Sequence, residues 1–202
     1  MFLLATNVSA QIEEAPLLSD NYAPVKPPSF RLNVEGGYSY RTADAADTYA
    51  AKLKGGYNIA SNLSVFLGSQ YGICFHYSRS MATASQDGVS DNVVVSLYSA
   101  GLAERRILGR GSVVFIGDLV IGMATYQDDA QIGSAPHVRK GNSFGITGLM
   151  GFDFMIGPNA ALGFDVSYLV GTVAQGMQDG LSVDMNESLN RFDFNGGLKY
   201  YW

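Results

Sequence analysis

His76 and Ser78 stand two residues apart, so in an extended segment they share one face, as a nucleophile and its base require. A carboxylate such as Asp118 would complete a hydrolytic triad. The simpler reading is that an inward His and Ser are polar filling. A lipid hydrolase needs its groups turned outward or at a rim. Cys74, beside them, is the single cysteine, which excludes an intrachain disulfide and a thiolate metal cluster. It is small and reads as filler rather than as a nucleophile. His137 has Asp128 and Asp129 near it in sequence, but no ligand spacing supports a metal there. No glycine-rich loop leads into a helix, so there is no phosphate cradle, and no cofactor is implied. The formal net charge is -5 with no basic run, which argues against nucleic acid.

The elements that must position these residues are strands. The chain has 202 residues, enough for one domain. With 24 Gly, 12 Tyr, 11 Phe and only 6 Pro, it has ample apolar and aromatic surface to bury, unlike a disordered chain. No run of eighteen apolar residues encodes a membrane helix. The spans of a membrane barrel, however, alternate and are only half apolar. From Phe30 onward, segments alternate with period two and then turn. The pattern predicts strands near 30–42, 52–67, 70–81, 92–107, 112–127, 142–156, 160–173 and 189–202. The connections at Gly68-Ser69, Leu108-Gly109-Arg110-Gly111 and Gly157-Pro158-Asn159 are short. Those near 43–51, 82–91, 128–141 and 174–188 are longer and polar. Short and long connections taking turns predict an all-β fold, an eight-stranded antiparallel up-and-down transmembrane β-barrel.

The two faces of each strand differ in kind. Leu32, Val34, Tyr38 and Tyr40 oppose Arg31, Asn33, Glu35 and Arg41. Leu162, Phe164, Val166 and Tyr168 oppose Gly163, Asp165 and Ser167. Phe192, Phe194, Leu198, Tyr200 and Trp202 oppose Arg191, Asp193, Asn195 and Lys199. An eight-stranded barrel is only just wide enough for side chains to fill, and the bulky rings would overfill it. The rings therefore belong on the lipid side and the small polar residues in the lumen. Tyr38, Tyr40, Tyr77, Tyr126, Tyr168, Tyr200 and Trp202 lie towards strand ends, as in an aromatic girdle. Glycines 36, 37, 55, 56, 196 and 197 relieve crowding where strands curve.

The same alternation predicts a lumen charge network of Arg31, Glu35, Arg41, Lys54, His76, Glu104, Arg106, Asp118, Asp153, Asp165, Arg191, Asp193 and Lys199. Both signs are present, so these groups should pair, with Glu35 meeting Arg191 or Lys199 across the closing seam. The expected result is a plugged barrel rather than an open pore. Two places break the pattern. Val113-Val114-Phe115-Ile116 is apolar on both faces, through either a register bulge or an apolar interior. Glu104-Arg105-Arg106 puts a charge on each face.

At the amino end, Phe2-Leu3-Leu4-Ala5 followed by Val8-Ser9-Ala10 reads as the remnant of a signal peptide cut after Ala10, or as a floppy apolar start. Residues 11–29 read as a periplasmic N-terminal extension, and residues 30–202 as the barrel.

Several segments, in their order along the chain, carry a resemblance to a known family. They are Gly36-Gly37-Tyr38-Ser39-Tyr40-Arg41, Leu53-Lys54-Gly55-Gly56-Tyr57-Asn58, Tyr71-Gly72-Ile73, His76-Tyr77-Ser78-Arg79 and Gly196-Gly197-Leu198-Lys199-Tyr200-Tyr201-Trp202. From about residue 30 to residue 202 the chain resembles the bacterial outer-membrane protein β-barrel domain family of Bacteroidetes-type small barrels, with OmpA- and OmpW-like architecture. The resemblance implies a multi-pass protein of the bacterial outer membrane, surrounded by outer-membrane lipid and lipopolysaccharide. It implies insertion by the barrel-assembly machinery, with Phe192, Phe194, Tyr200 and Trp202 as the assembly signal. It implies no shared catalytic activity. The leading expectation is a structural or interaction barrel, not an enzyme, with a possible protein partner at the external loops. The alternatives are a narrow channel for small solutes, a membrane-embedded lipid-modifying enzyme, and a soluble lipocalin-like lipid carrier.

Overall fold

The computed structural model describes residues 28–42, 53–108 and 111–202. The expected signal remnant, most of the N-terminal extension and the 43–51 connection lie outside the described residues. The strands are β1 (Phe30–Arg41), β2 (Gly55–Phe66), β3 (Tyr71–Gln86), β4 (Val89–Leu108), β5 (Val113–Ile132), β6 (Ala135–Met155), β7 (Ala160–Gln178), β8 (Leu181–Ser188) and β9 (Arg191–Tyr201). All pairings are antiparallel, and each strand from β1 to β7 pairs with the next. β9 pairs with both β7 and β1, so the sheet returns on itself as a barrel-like closed structure. No helix of the described residues is long and apolar enough to cross a membrane, which says nothing of a β-barrel.

Three expected loops are not loops. The 82–91, 128–141 and 174–188 stretches are the outer halves of long hairpins. Asp87-Gly88 and Asp179-Gly180 turn the chain in two residues, all four at positive φ. Asp-Gly is a favoured pair for that turn, whose twist matches the flanking strands. At the third tip Gly133 supplies the positive φ. The polar composition of these stretches suggested coil, yet the backbone stays paired to within two residues of each tip.

The ninth strand has the same origin. β8 pairs with the outer part of β7, from Thr172 to Gln178, and β9 pairs with the inner part, from Ala160 to Leu169. Leu189 and Asn190 interrupt the line between β8 and β9.

Burial alternates along the inner parts of the strands, broken in β4 where Val95, Ser96 and Leu97 are all buried, and the apolar rings are on the outside. Phe164 is 55% exposed and Leu198 63%, whereas Asp193 is 2% and Glu35 4%. This is the reverse of a soluble barrel, where the aromatic face would fill the centre. Val114 and Ile116 are buried inside β5, and its pairing with β4 and β6 runs without a register shift, so the interior is locally apolar and no bulge exists. Tyr126 departs from the expected girdle. It faces inward, with its hydroxyl donating to Asp128 at 3.1 Å.

The interior is stratified. Near the short turns, Phe66, Ala103, Val114, Ile116, Val120 and Leu149 form one apolar cluster. Towards the long hairpins, Leu97, Val95, Tyr126, Leu169, Val173 and Leu189 belong to a second. The charged and amide side chains lie between and around these clusters.

Candidate functional site

The largest cluster of ionisable side chains among the described residues is this enclosed polar belt. Arg31 of β1 reaches across the interior to Asp153 of β6, donating from Nε at 2.7 Å and from Nη2 at 3.2 Å. The Tyr201 hydroxyl donates to the same carboxylate. Lys199 of β9 contacts Glu35 of β1 across the seam and Asp165 of β7 at 3.1 Å. Asn33 donates to Glu35 at 2.9 Å. Arg191 binds Asp193 two residues on at 3.1 Å, and its Nη2 donates to Ser78 Oγ at 3.1 Å. Asn58 donates to Asn195 at 2.8 Å, and Asn62 to Asp118 at 2.6 Å.

The local sequence makes room for these long side chains. Gly163 lies inward between Lys199 and Asp153, and a Cβ there would overlap both. A bidentate arginine–carboxylate pair held this way is strong and directional. Breaking one partner leaves an uncompensated buried charge.

Not every predicted member joins the belt. Glu104 and Arg106 are on the outer face and pair with each other at 2.6 Å. The inward residue of that triplet is Arg105, 1% exposed, which donates to the Ser69 and Gly68 carbonyls at 2.9 and 3.2 Å and lies 4.0 Å over the Phe66 ring. The alternation of Tyr98, Ala100, Leu102 and Glu104 on one side already fixes this. Strand parity outranks any preference for an enclosed charge and places Glu104 and Arg106 outside. Lys54 also stands apart. β2 begins at Gly55, so its alternation does not reach Lys54, which lines an outer groove with Tyr38, Tyr40 and Tyr57. Arg41 is half-buried at the hairpin end, paired with Glu187 and donating to the Ser188 carbonyl at 2.8 Å.

The hydrolytic constellation does not assemble. Ser78 Oγ is held by Arg191, Asp118 by Asn62, and neither ring nitrogen of the buried His76 has a hydrogen-bond partner. Cys74 is fully buried against the Leu102 carbonyl. No group of three or more His, Cys, Asp or Glu among the described residues could hold a metal ion. His137 pairs instead with Asp179 at 2.9 Å, tying the β5–β6 tip to the β7–β8 tip. That hydrogen bond, with one from the Val138 amide, holds the Asp179 carboxyl below its usual range.

Strand reading missed a second charged group near the hairpin ends. Asp91, Asp128 and Arg139 face inward on β4, β5 and β6 above the apolar cluster. Burial, then the hydrogen bond and like charge of Asp128, push the Asp91 carboxyl up to about 7. All three lie in stretches whose polar composition predicts loops, to which strand alternation does not apply.

The fold and its enclosed belt define a class, that of small closed antiparallel β-barrels with apolar exteriors. No protein-family model matches the chain, and no curated protein matches it. Among solved structures it is similar to the outer membrane protein OprG from Pseudomonas aeruginosa, with a TM-score of 0.59 and 12% identity over 88% of this chain and 98% of that one. Neisserial surface protein A gives a TM-score of 0.55 and 11% identity over 86% and 97%. Ail, the attachment invasion locus protein of Yersinia pestis, gives 0.53 and 12% over 86% and 98%. At such identities the likeness establishes the fold alone.

Proposed function

We propose that this chain is an integral outer-membrane barrel of the small Bacteroidetes-type class, non-catalytic, with a sealed bore and a structural or interaction role. Its β8 and β9 act as two halves of one stave, giving eight staves in all. The observation that carries the reading is the inverted sheet. Exposed rings such as Phe164, Phe194 and Phe144 cover the outside while Arg31, Lys199 and Arg191 are enclosed. Soluble monomers rarely expose contiguous apolar patches beyond a few hundred Å². Hydrocarbon accepts such a surface, and a closed sheet leaves no unpaired backbone edge in it. The likeness to OprG, neisserial surface protein A and Ail supports the same setting.

In this reading residues 1–10 are the remnant of an export signal and residues 11–29 lie in the periplasm. The outward Phe192, Phe194, Tyr200 and Trp202 of the last strand are what the barrel-assembly machinery engages. Lipid and lipopolysaccharide surround the belt of rings, and the hairpin tips are where a protein partner would dock. The two apolar clusters and the ion pairs between them favour a closed bore over a channel.

Purified protein should require detergent for extraction and should insert into lipid vesicles. In planar bilayers it should give no steady conductance. A chain that stays soluble and monomeric without detergent would overturn the membrane reading. Steady porin-sized conductance would overturn the sealed bore.

A further inference from the structure

The outer wall of β4, β5 and β6 is not uniformly covered. Gly117 and Gly148 face outward on neighbouring strands and leave the sheet bare. An added Cβ at Gly148 would meet nothing within 4 Å, and one at Gly117 only the Phe115 ring at 3.7 Å. Leu102, Leu119 and Met150 stand up around this floor, 67%, 59% and 64% exposed. Together they bound an outer groove of about 580 Å³. That size is within the range of small-ligand sites, and the lining is almost wholly apolar.

One end of the groove is not apolar. Glu104 lines it, next to Tyr71, and Arg106 pairs with Glu104 at 2.6 Å. Both charges lie near the short turns, four and two residues before the end of β4 at Leu108. In the reading above this is the periplasmic interface, where exposed charges on a barrel are tolerated. The groove thus combines an apolar trough with the Glu104 carboxylate in its lining and, paired to that carboxylate, the Arg106 guanidinium.

We propose that this groove seats one phospholipid with a primary-amine zwitterionic headgroup. The inference rests on the membrane reading. One acyl chain lies on the glycine floor between Leu119 and Met150. The ammonium donates to Glu104, and the phosphate accepts from the guanidinium N–H groups of Arg106 that Glu104 does not use. Charge complementarity selects this occupant. A purely anionic headgroup meets Arg106 but also the carboxylate of Glu104. A headgroup carrying both signs satisfies both. A quaternary ammonium offers Glu104 no N–H.

The test is native mass spectrometry of the detergent-solubilised protein titrated with phosphatidylethanolamine, phosphatidylglycerol or phosphatidylcholine of matched acyl chains. Wild type should retain one phosphatidylethanolamine in preference to the other two. Glu104→Gln should reduce that preference roughly fivefold, equivalent to about 1 kcal/mol, the upper range for an exposed ion pair. Gly148→Leu, whose Cβ meets no protein atom within 4 Å, extends an outward side chain into the trough and should abolish retention while the variant still folds. Equal retention of the three lipids by wild type would overturn the proposal, as would full retention by Gly148→Leu. Insertion of the same preparation into vesicles is scored separately. Failure to insert would overturn the membrane reading, whereas insertion without lipid preference would overturn only the groove assignment.

Discussion

Arg31 on β1 and Asp153 on β6, 122 positions apart in the chain, are joined inside the barrel by hydrogen bonds of 2.7 and 3.2 Å. β1 and β6 are not neighbours in the sheet, so this pair crosses the interior and braces two separate parts of the wall. Asp153→Ala should destabilise the protein by about 3–5 kcal/mol, because Arg31 is then buried and uncompensated. The double variant Arg31→Met with Asp153→Leu should recover most of that loss. Urea unfolding in lipid vesicles measures both, and a loss in the double variant as large as in the single one would refute the pairing account.

Gly163 sets a steric limit on the same belt. A methyl group there would overlap the Lys199 stem and the Asp153 carboxylate. Gly163→Ala should cost about 1–3 kcal/mol through overpacking. The outward-facing Gly148→Ala, with nothing within 4 Å of the new methyl, should change stability little. The contrast between the two unfolding curves tests which face each glycine occupies.

Adjacent arginines on β4 should behave oppositely. Arg105 is buried over Phe66 and donates to turn carbonyls, whereas Arg106 is exposed beside Glu104. Arg105→Ala should lower stability by about 2 kcal/mol or more, since it strips both the ring contact and the carbonyl partners. Arg106→Ala should stay within about 0.5 kcal/mol. Reversed effects would put the opposite face of the strand inward.

The outer hairpins should weaken as pH rises. In the folded protein the Asp91 carboxyl keeps its proton up to about pH 7, while its ordinary value is 3.8. Between those limits the folded chain binds more protons than the unfolded chain, so stability declines across that window and levels off above it. Below the lower limit both states are protonated and the contribution is fully present. Asp91→Asn should remove this slope and raise the thermal midpoint at pH 8. A slope unchanged in that variant would locate the effect elsewhere.

Strand identity, the outward turn of the rings and most of the enclosed charges were legible from alternation, because a period of two assigns every residue on a strand to a side. The eight expected strands correspond to β1 to β7 and β9, and their inner ends lie within a few residues of the expected bounds. What alternation could not supply was length. Polar residues on both faces of the hairpin ends resemble loop composition, so β8 and the Asp91–Asp128–Arg139 group were hidden, although Asp87-Gly88 and Asp179-Gly180 marked the turns. Glu104 and Arg106 were misplaced for a different reason. A charge on a strand suggests the enclosed side, whereas the pairing of Glu104 with the outward Gly117 and Tyr71 fixes it outward. Distant pairings such as Arg31 with Asp153 depend on barrel curvature, which no local pattern records.

The two-residue turns at Asp87-Gly88 and Asp179-Gly180 also govern what a binding protein could grip. A paired ribbon offers a stiff, narrow ridge of side chains rather than a pliable epitope. A short tag spliced between the two turn residues would therefore be held at the summit of a rigid mast, clear of the barrel body.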